Sequence, residues 1–292
     1  MIWTIFDHLP LGGVSLVFTC YLDDSYPNGG SVMTLAGYLA LTENWQRYET
    51  ESKRVYENYG IDELHTKRLF HRQKQFKSWS DSKCRDLVQD LFILARTLDI
   101  IGISYTIPQS TSAKMKSSHK SGAQLSPLGI LFVTLCGGVT RNEGLKDFSG
   151  ARDVSVVLEA GNKANAGIAL NFNKQKAKAI DPNPRVKSVT LASKKDCRAI
   201  HLADFWAFFS RRATTKLIQD NFRQDDKLME RYFDPLAATA CVRTRHTINL
   251  INGAPVPVPG QPDQIRITSE HCYEFGPPPT DSLISSLTGQ SS

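Results

Sequence analysis

From Val14 to Leu22 the chain alternates. Val14, Leu16, Phe18, Cys20 and Leu22 take one parity, and Ser15, Val17, Thr19 and Tyr21 take the other. A period of two is that of a strand, here with one apolar and one mixed face. It ends at Asp23, Asp24 and Ser25, before the turn residues Pro27, Asn28, Gly29 and Gly30. Ser31 to Leu41 is again rich in β-formers, so the two segments read as a hairpin. From Glu43 the period becomes helical: Trp45, Tyr48, Val55, Tyr56 and Tyr59 share a stripe, and Gly60 supplies the stop. Ile61 to Ser78 is polar and basic with no period. Ser80 then caps a helix whose stripe is Leu87, Val88, Leu91, Phe92, Ala95 and Leu98.

Ile100 to Ile107 reads as a strand stopped by Pro108, and Gln109 to Gln124 as a Ser- and Lys-rich loop. Ser126-Pro127 opens a helix that is apolar nearly all round through Leu135, and so buried. A strand at Val154–Glu159, a helix at Asn165–Ala179, a strand at Val186–Leu191 and a strong helix at Ala199–Ile218 follow. Beyond Ile251, Gly253 to Gly260 and Pro277 to Pro279 are proline-rich and aperiodic. The expected organisation is one domain over residues 1–250 and an extended proline-rich tail over 251–292. A hairpin, two helices and then strand–helix alternation predict an α/β domain, a mixed sheet covered by helices.

Composition narrows the class only a little. A chain of 292 residues can bury a large core without staples. Its 35 basic and 29 acidic residues leave a formal charge of +6, which permits a polyanionic partner without demanding one. None of the six cysteines sits in a CxxC pair, so buried free thiols in a reducing compartment are expected. Met1 to Pro10 has no basic n-region, and no apolar run reaches the ~20 residues of a membrane span. The expectation is a cytoplasmic protein.

Four carboxylates stand at the end of, or inside, apolar elements, where an acid is rarely buried unless paired or metal-bound. Asp23 closes the first strand, at the kind of sheet end where α/β proteins keep their ligands. Glu63 follows the Gly60 stop. Glu159 closes the strand from Val154. Asp204 lies on the Ala199 helix among Ile200, His201, Ala207 and Phe208. Plainer roles exist for each: a turn residue for Asp23, a solvated acid for Glu63, a cap for Glu159, and an ion pair with Arg211 or a distant lysine for Asp204. If the fold brings the four together, they form a hard oxygen donor set suited to Mg²⁺ or Mn²⁺ and to phosphodiester chemistry. His65, beside Glu63, can move a proton or hold a phosphate. Lys67, Arg68, His71, Arg72, Lys74 and Lys77 are interleaved with Phe70, Phe76 and Trp79, a composition that suits nucleic-acid backbone and bases. Lys194 and Lys195 are candidates for the same phosphates. No P-loop, GxGxxG or nucleophile elbow is present.

These motifs resemble the domain of unknown function 3800 family. Tyr21-Leu22-Asp23-Asp24-Ser25 is similar to its opening hydrophobic-Asp-Asp/Glu-Ser. Glu63-Leu64-His65 is similar to its Glu-x-His. Val156-Val157-Leu158-Glu159 stands where it has a strand ending in an acid, and Ile200-His201-Leu202-Ala203-Asp204 resembles its hydrophobic-Gln-hydrophobic-Ala-Asp helix. The order matches over about residues 14–215. Tyr26, Glu159 and His201 replace the family's usual Gly, Asp and Gln. The resemblance implies a ribonuclease-H-like, five-stranded mixed sheet of order 3-2-1-4-5 with helices on both faces. It also implies a divalent-metal-dependent nuclease, with Asp23, Glu63, Glu159 and Asp204 as catalytic metal ligands and His65 assisting. A non-catalytic nucleic-acid- or protein-binding module, or a metal hydrolase of a small phosphorylated molecule, are the alternatives on the same fold.

Overall fold

The computed structural model describes residues 17–26, 30–118, 126–141, 153–177, 185–221, 227–252, 256–258, 261–266 and 271–277. Strand β1 (Val17–Ser25) lies between two partners. On one side it pairs antiparallel with β2 (Val32–Leu41), on the other parallel with β4 (Asp153–Glu159). β5 (Val186–Ala192) continues parallel outside β4, and β3 (Ile101–Pro108) pairs antiparallel with β2. Taken from that edge, the first five strands in chain order stand 3-2-1-4-5. The sheet does not stop there. β6 (His246–Leu250) runs parallel to β3, and β9 (His271–Phe275) antiparallel to β6. The sheet is therefore mixed and seven-stranded rather than five-stranded.

The alternation of side chains along each strand separates two cores. On one face lie α1 (Thr42–Tyr59), α3 (Asp81–Thr97), α7 (Ala199–Gln219), the short α8 (Leu228–Tyr232) and α9 (Pro235–Arg243), packed with Ala36, Tyr38 and Ala40 of β2. On the other face lie α5 (Pro127–Arg141) and α6 (Lys163–Ala177), packed with Phe18, Cys20, Leu22, Leu35 and Leu39. Asp23 has the parity of Thr19 and Tyr21 and so faces α7; Asp24 faces α6. β1 and β2 approach closely at Gly37, where a Cβ would fall 1.7 Å from the Tyr21 carbonyl oxygen. The caps read from sequence are present. Gly60 ends α1 at φ 68°, Ser80 Oγ accepts from Lys83 N, and Ser126 Oγ accepts from Gly129 N.

Three expectations change. Gln109–Ser118 is a helix, α4, not a loop. It has no visible stripe because its buried face is made of Thr111, Ser112 and Met115. The basic stretch after Ile61 contains a short helix, α2 (Thr66–Phe70), and a single 3-10 turn at Lys74–Phe76. The region after residue 250 is not wholly an extended tail. Between α9 and β9 lie β6 and a small hairpin of β7 (Val256–Val258) and β8 (Gln261–Arg266), and β9 buries Tyr273 and Phe275 in the α7 core. Residues 14–16, the turn at 27–29 and the prolines at 278–279 lie outside the described residues. Cys20, Cys84, Cys136 and Cys241 are buried, and among the described residues no helix is long and apolar enough to cross a membrane.

Candidate active site

Asp23 reaches the α7 face of the sheet just where α7 presents Asp204. Neither carboxylate faces open water: the residues are 5% and 9% exposed. Between them stands Lys194, from the turn that joins β5 to α7. Its Nζ lies 2.9 Å from Asp23 Oδ2 and 2.8 Å from Asp204 Oδ1. Asp204 Oδ2 accepts the backbone N–H of Thr66 at 2.7 Å, and Asp23 Oδ1 accepts that of Asp24 at 2.8 Å. The ion partner of Asp204 is thus a lysine ten residues earlier. Arg211, seven residues later, bonds Ser25 instead.

One ammonium cannot neutralise two buried carboxylates, and the two acids titrate in opposite directions. Burial pushes the Asp23 carboxyl up to about 8; Lys194 opposes this and the charge on Asp204 adds to it. Burial also acts to raise Asp204. There Lys194, His65 and the Thr66 N–H outweigh it and hold the carboxyl below its ordinary value. Burial acts to lower the Lys194 ammonium, but the two carboxylates prevail and keep it charged. At neutral pH the triad is Asp23 carrying a proton much of the time, Lys194⁺ and Asp204⁻.

A second layer fixes the lysine. His201, one turn before Asp204 on α7, bonds the Lys194 carbonyl through Nε2 at 2.7 Å and the Tyr56 hydroxyl through Nδ1 at 2.7 Å. A carbonyl only accepts, so Nε2 carries the proton and Nδ1 accepts from the tyrosine. Burial lowers the His201 pKa to about 4, so the ring is neutral. In the sequence His201 stands out only as a departure from a motif, and Tyr56 only as part of an apolar stripe. Their pairing across 145 residues has no local signal.

His65 joins the triad from the segment before α2. Its Nδ1 is buried, has no hydrogen-bond partner among the described residues and lies 3.8 Å from Asp204 Oδ2. Burial, ahead of the Asp204 charge that opposes it, lowers its pKa. The other two acids take the plainer roles. Glu63 is half-exposed and faces Arg68 at 3.8 Å, and Glu159 accepts from Gly161 N at 2.7 Å, capping the turn after β4. On the opposite face Asp24 Oδ1 accepts from Asn162 Nδ2 at 2.8 Å and Asn165 Nδ2 at 3.1 Å, which ties the β1 end to α6. The four expected metal ligands therefore do not gather. Asp23 and Asp204 do; Glu63 faces Arg68 but remains within electrostatic reach of His65 and His201, and Glu159 is engaged elsewhere. Of the expected phosphate-binding residues, Lys194 is inside the triad, Arg68 and Arg72 pair with Glu63 and Asp81, and Lys67, Lys74 and Lys195 are exposed.

Among the described residues no group of three or more His, Cys, Asp and Glu side chains could hold a metal ion. A four-carboxylate, two-metal set does not fit. A single Mg²⁺ or Mn²⁺ does fit the donor chemistry, because Mg²⁺ is commonly held by one or two carboxylates together with substrate phosphate and water. The Lys194 ammonium marks a point within 3 Å of both carboxylates where a cation is already stabilised. Comparison of the chain with family models, with curated proteins and with solved structures finds no match in any of the three.

Proposed function

We propose that this chain is a divalent-metal-dependent phosphodiesterase acting on nucleic acid, built on a ribonuclease-H-like sheet. The observation that carries the reading is the convergence of Asp23 and Asp204 on one cation position. They come from β1, an interior strand, and from α7, which packs across it, and both are withdrawn from water. Asp23 and Asp204 are the groups that would hold Mg²⁺ or Mn²⁺, which when bound supplies Lewis-acid stabilisation of phosphate charge and a more acidic water.

The chain's own groups have distinct tasks in this reading. Lys194, released from one carboxylate, is an ammonium within reach of a phosphate oxygen. His65, neutral at pH 7 because burial lowers its pKa, is placed beside Asp204 to take or return a proton. Tyr56 and His201 position the Lys194 backbone and touch no substrate. Glu63 and Glu159 have no part in binding the ion.

The occupation of the cation position by Lys194 favours a second reading, a binding module whose acid pair is satisfied internally. Cleavage separates the two. Labelled single- and double-stranded DNA and RNA are incubated with the wild type in Mg²⁺, in Mn²⁺ and in EDTA, beside Asp204→Asn. The phosphodiesterase reading expects metal-dependent cleavage that Asp204→Asn reduces at least a hundredfold. Binding without cleavage in either metal, or equal cleavage by the variant, overturns it.

A further inference from the structure

We propose that Arg211 and Arg212 of α7, seated on Phe70 and Phe208, form a phosphate-binding site beside the Asp23–Asp204 pair. Among the described residues Arg68, Arg72, Arg198 and Arg245 each lie against a glutamate or aspartate. Arg211 and Arg212 have no carboxylate partner among the described residues. Arg212 stacks its guanidinium 4.5 Å from the Phe70 ring centre and 5.6 Å from that of Phe208. Arg211 lies 6.0 Å from the Phe208 ring and donates Nε to Ser25 Oγ at 2.9 Å. That bond leaves its two terminal NH₂ groups for a ligand. Two half-buried guanidinium groups side by side repel, and burial together with Arg212 depresses the Arg211 pKa. An anion between them removes the repulsion, and the planar forks match phosphate oxygens.

The location follows from two independent spacings. Arg211 is seven residues after Asp204, two turns along one helix face, or about 10 Å. Ser25, which anchors Arg211, is two residues after Asp23 on the same strand face, or about 7 Å. Both routes put the guanidinium pair next to the carboxylate pair on the same side of the sheet, within a phosphate step or two along an extended strand. Phe70 and Phe208, 5.4 Å apart, add aromatic faces at the same place. The choice of phosphate over another anion rests on the phosphodiester reading of the neighbouring carboxylates; the unpaired guanidinium pair stands without it.

The test is equilibrium binding by the full chain in EDTA, so that cleavage plays no part. One arm uses a short labelled single-stranded oligonucleotide across a salt series, the other inorganic pyrophosphate by calorimetry. Arg211→Gln with Arg212→Gln is expected to weaken oligonucleotide binding by roughly tenfold or more, and to lower the salt slope by about one for each phosphate no longer neutralised. Arginine-to-lysine changes at both positions should recover part of the affinity, because charge returns without the fork. If pyrophosphate binding is lost while the oligonucleotide is unaffected, the site stands as one for a small phosphorylated ligand and the nucleic-acid assignment fails. Wild-type affinity of the double variant for both ligands overturns the site. Should the double variant unfold, Arg212→Gln alone serves, since the contacts of that side chain among the described residues are with the Phe70 and Phe208 rings. Asp204→Asn run in parallel keeps the two readings distinct: loss of cleavage with retained binding bears on the carboxylates, and the reverse on the arginines.

Discussion

His201 Nε2 donates to the carbonyl oxygen of Lys194 at 2.7 Å, so the helix that presents Asp204 also holds the turn that carries its counter-ion. Tyr56 on α1 completes the chain by bonding His201 Nδ1. The cation position is thus set from α7, the turn before it and α1, and the Tyr56–His201 contact spans 145 residues. His201→Ala would leave the Tyr56 hydroxyl and the Lys194 carbonyl unpaired inside the protein and open a cavity. A loss of roughly 3 kcal/mol is expected in urea unfolding. His201→Gln keeps an N–H for the carbonyl and should lose distinctly less. Equal losses for the two variants would mean that packing, not the hydrogen bond, is what His201 supplies.

Period and parity were enough to place most of the strands and helices and to mark Asp23 and Asp204 as acids set against apolar elements; that the two share a site was only what the family resemblance implied. The 2.0-residue alternation of β1 and the 3.6-residue stripe of α7 each point one side chain at a predictable face. What was not legible has physical reasons. Glu63 and Glu159 look like Asp23 in sequence, acids beside apolar runs, but a side chain's partner depends on the loop it meets: Arg68 for one, the Gly161 N–H for the other. Lys194 carries no pattern, because a turn lysine becomes an ion-pair partner only once β5 and α7 are docked. β9 escaped because five residues, His271–Phe275, give two buried positions, too few to register beside the prolines around them.

Asp23 makes stability depend on pH with an unusual sign. Its folded pKa, about 8, lies above the ordinary carboxylate value near 4. Between those values the folded state keeps a proton that the unfolded state has lost. Stability from this group is therefore full below about pH 4 and is lost as pH rises toward 8, at up to ~1.4 kcal/mol per unit. Asp204 has the reverse sign. Its depressed pKa gives stability that is present above the unfolded value and lost as pH falls through the folded one. The measurement is urea unfolding from pH 4 to 8 in EDTA, for the wild type and Asp23→Asn. The wild type should lose stability relative to the variant across this window. A constant difference would show that Asp23 is ionised throughout.

Removing residues 271–292 takes away β9. Tyr273 and Phe275 are 4% and 7% exposed in the α7 core, and β6 would become an edge with unpaired backbone groups. Burial of two such rings is worth about 3–6 kcal/mol. For a chain of this size the melting temperature should fall by about 10 °C. A truncated protein that melts with the full chain would show that β9 adds little to the fold.

Lys194→Met removes the ammonium and keeps most of the stem. Two consequences follow, and together they separate a structural lysine from one that shares its position with a metal ion. In EDTA the two carboxylates lose their cation while still buried, and breaking a buried pair from one side costs about 3–5 kcal/mol. Part of this is relieved because Asp23 already holds a proton through most of the neutral range, so the loss should grow with pH. With Mg²⁺ or Mn²⁺ present, the variant offers two oxygens and no competing charge. The ion should then raise the melting temperature of Lys194→Met by more than it raises that of the wild type, following the mass-action relation between ligand affinity and stability. Calorimetric titration should give a correspondingly tighter dissociation constant for the variant. Adding Asp204→Asn to Lys194→Met should abolish the metal-dependent rise, since one carboxylate is left. If the metal shifts the wild type and Lys194→Met equally, the ion binds away from the triad, and Asp23, Lys194 and Asp204 are a buried structural ion pair. If metal shifts neither, Lys194 is not the obstacle and the carboxylates do not bind an ion.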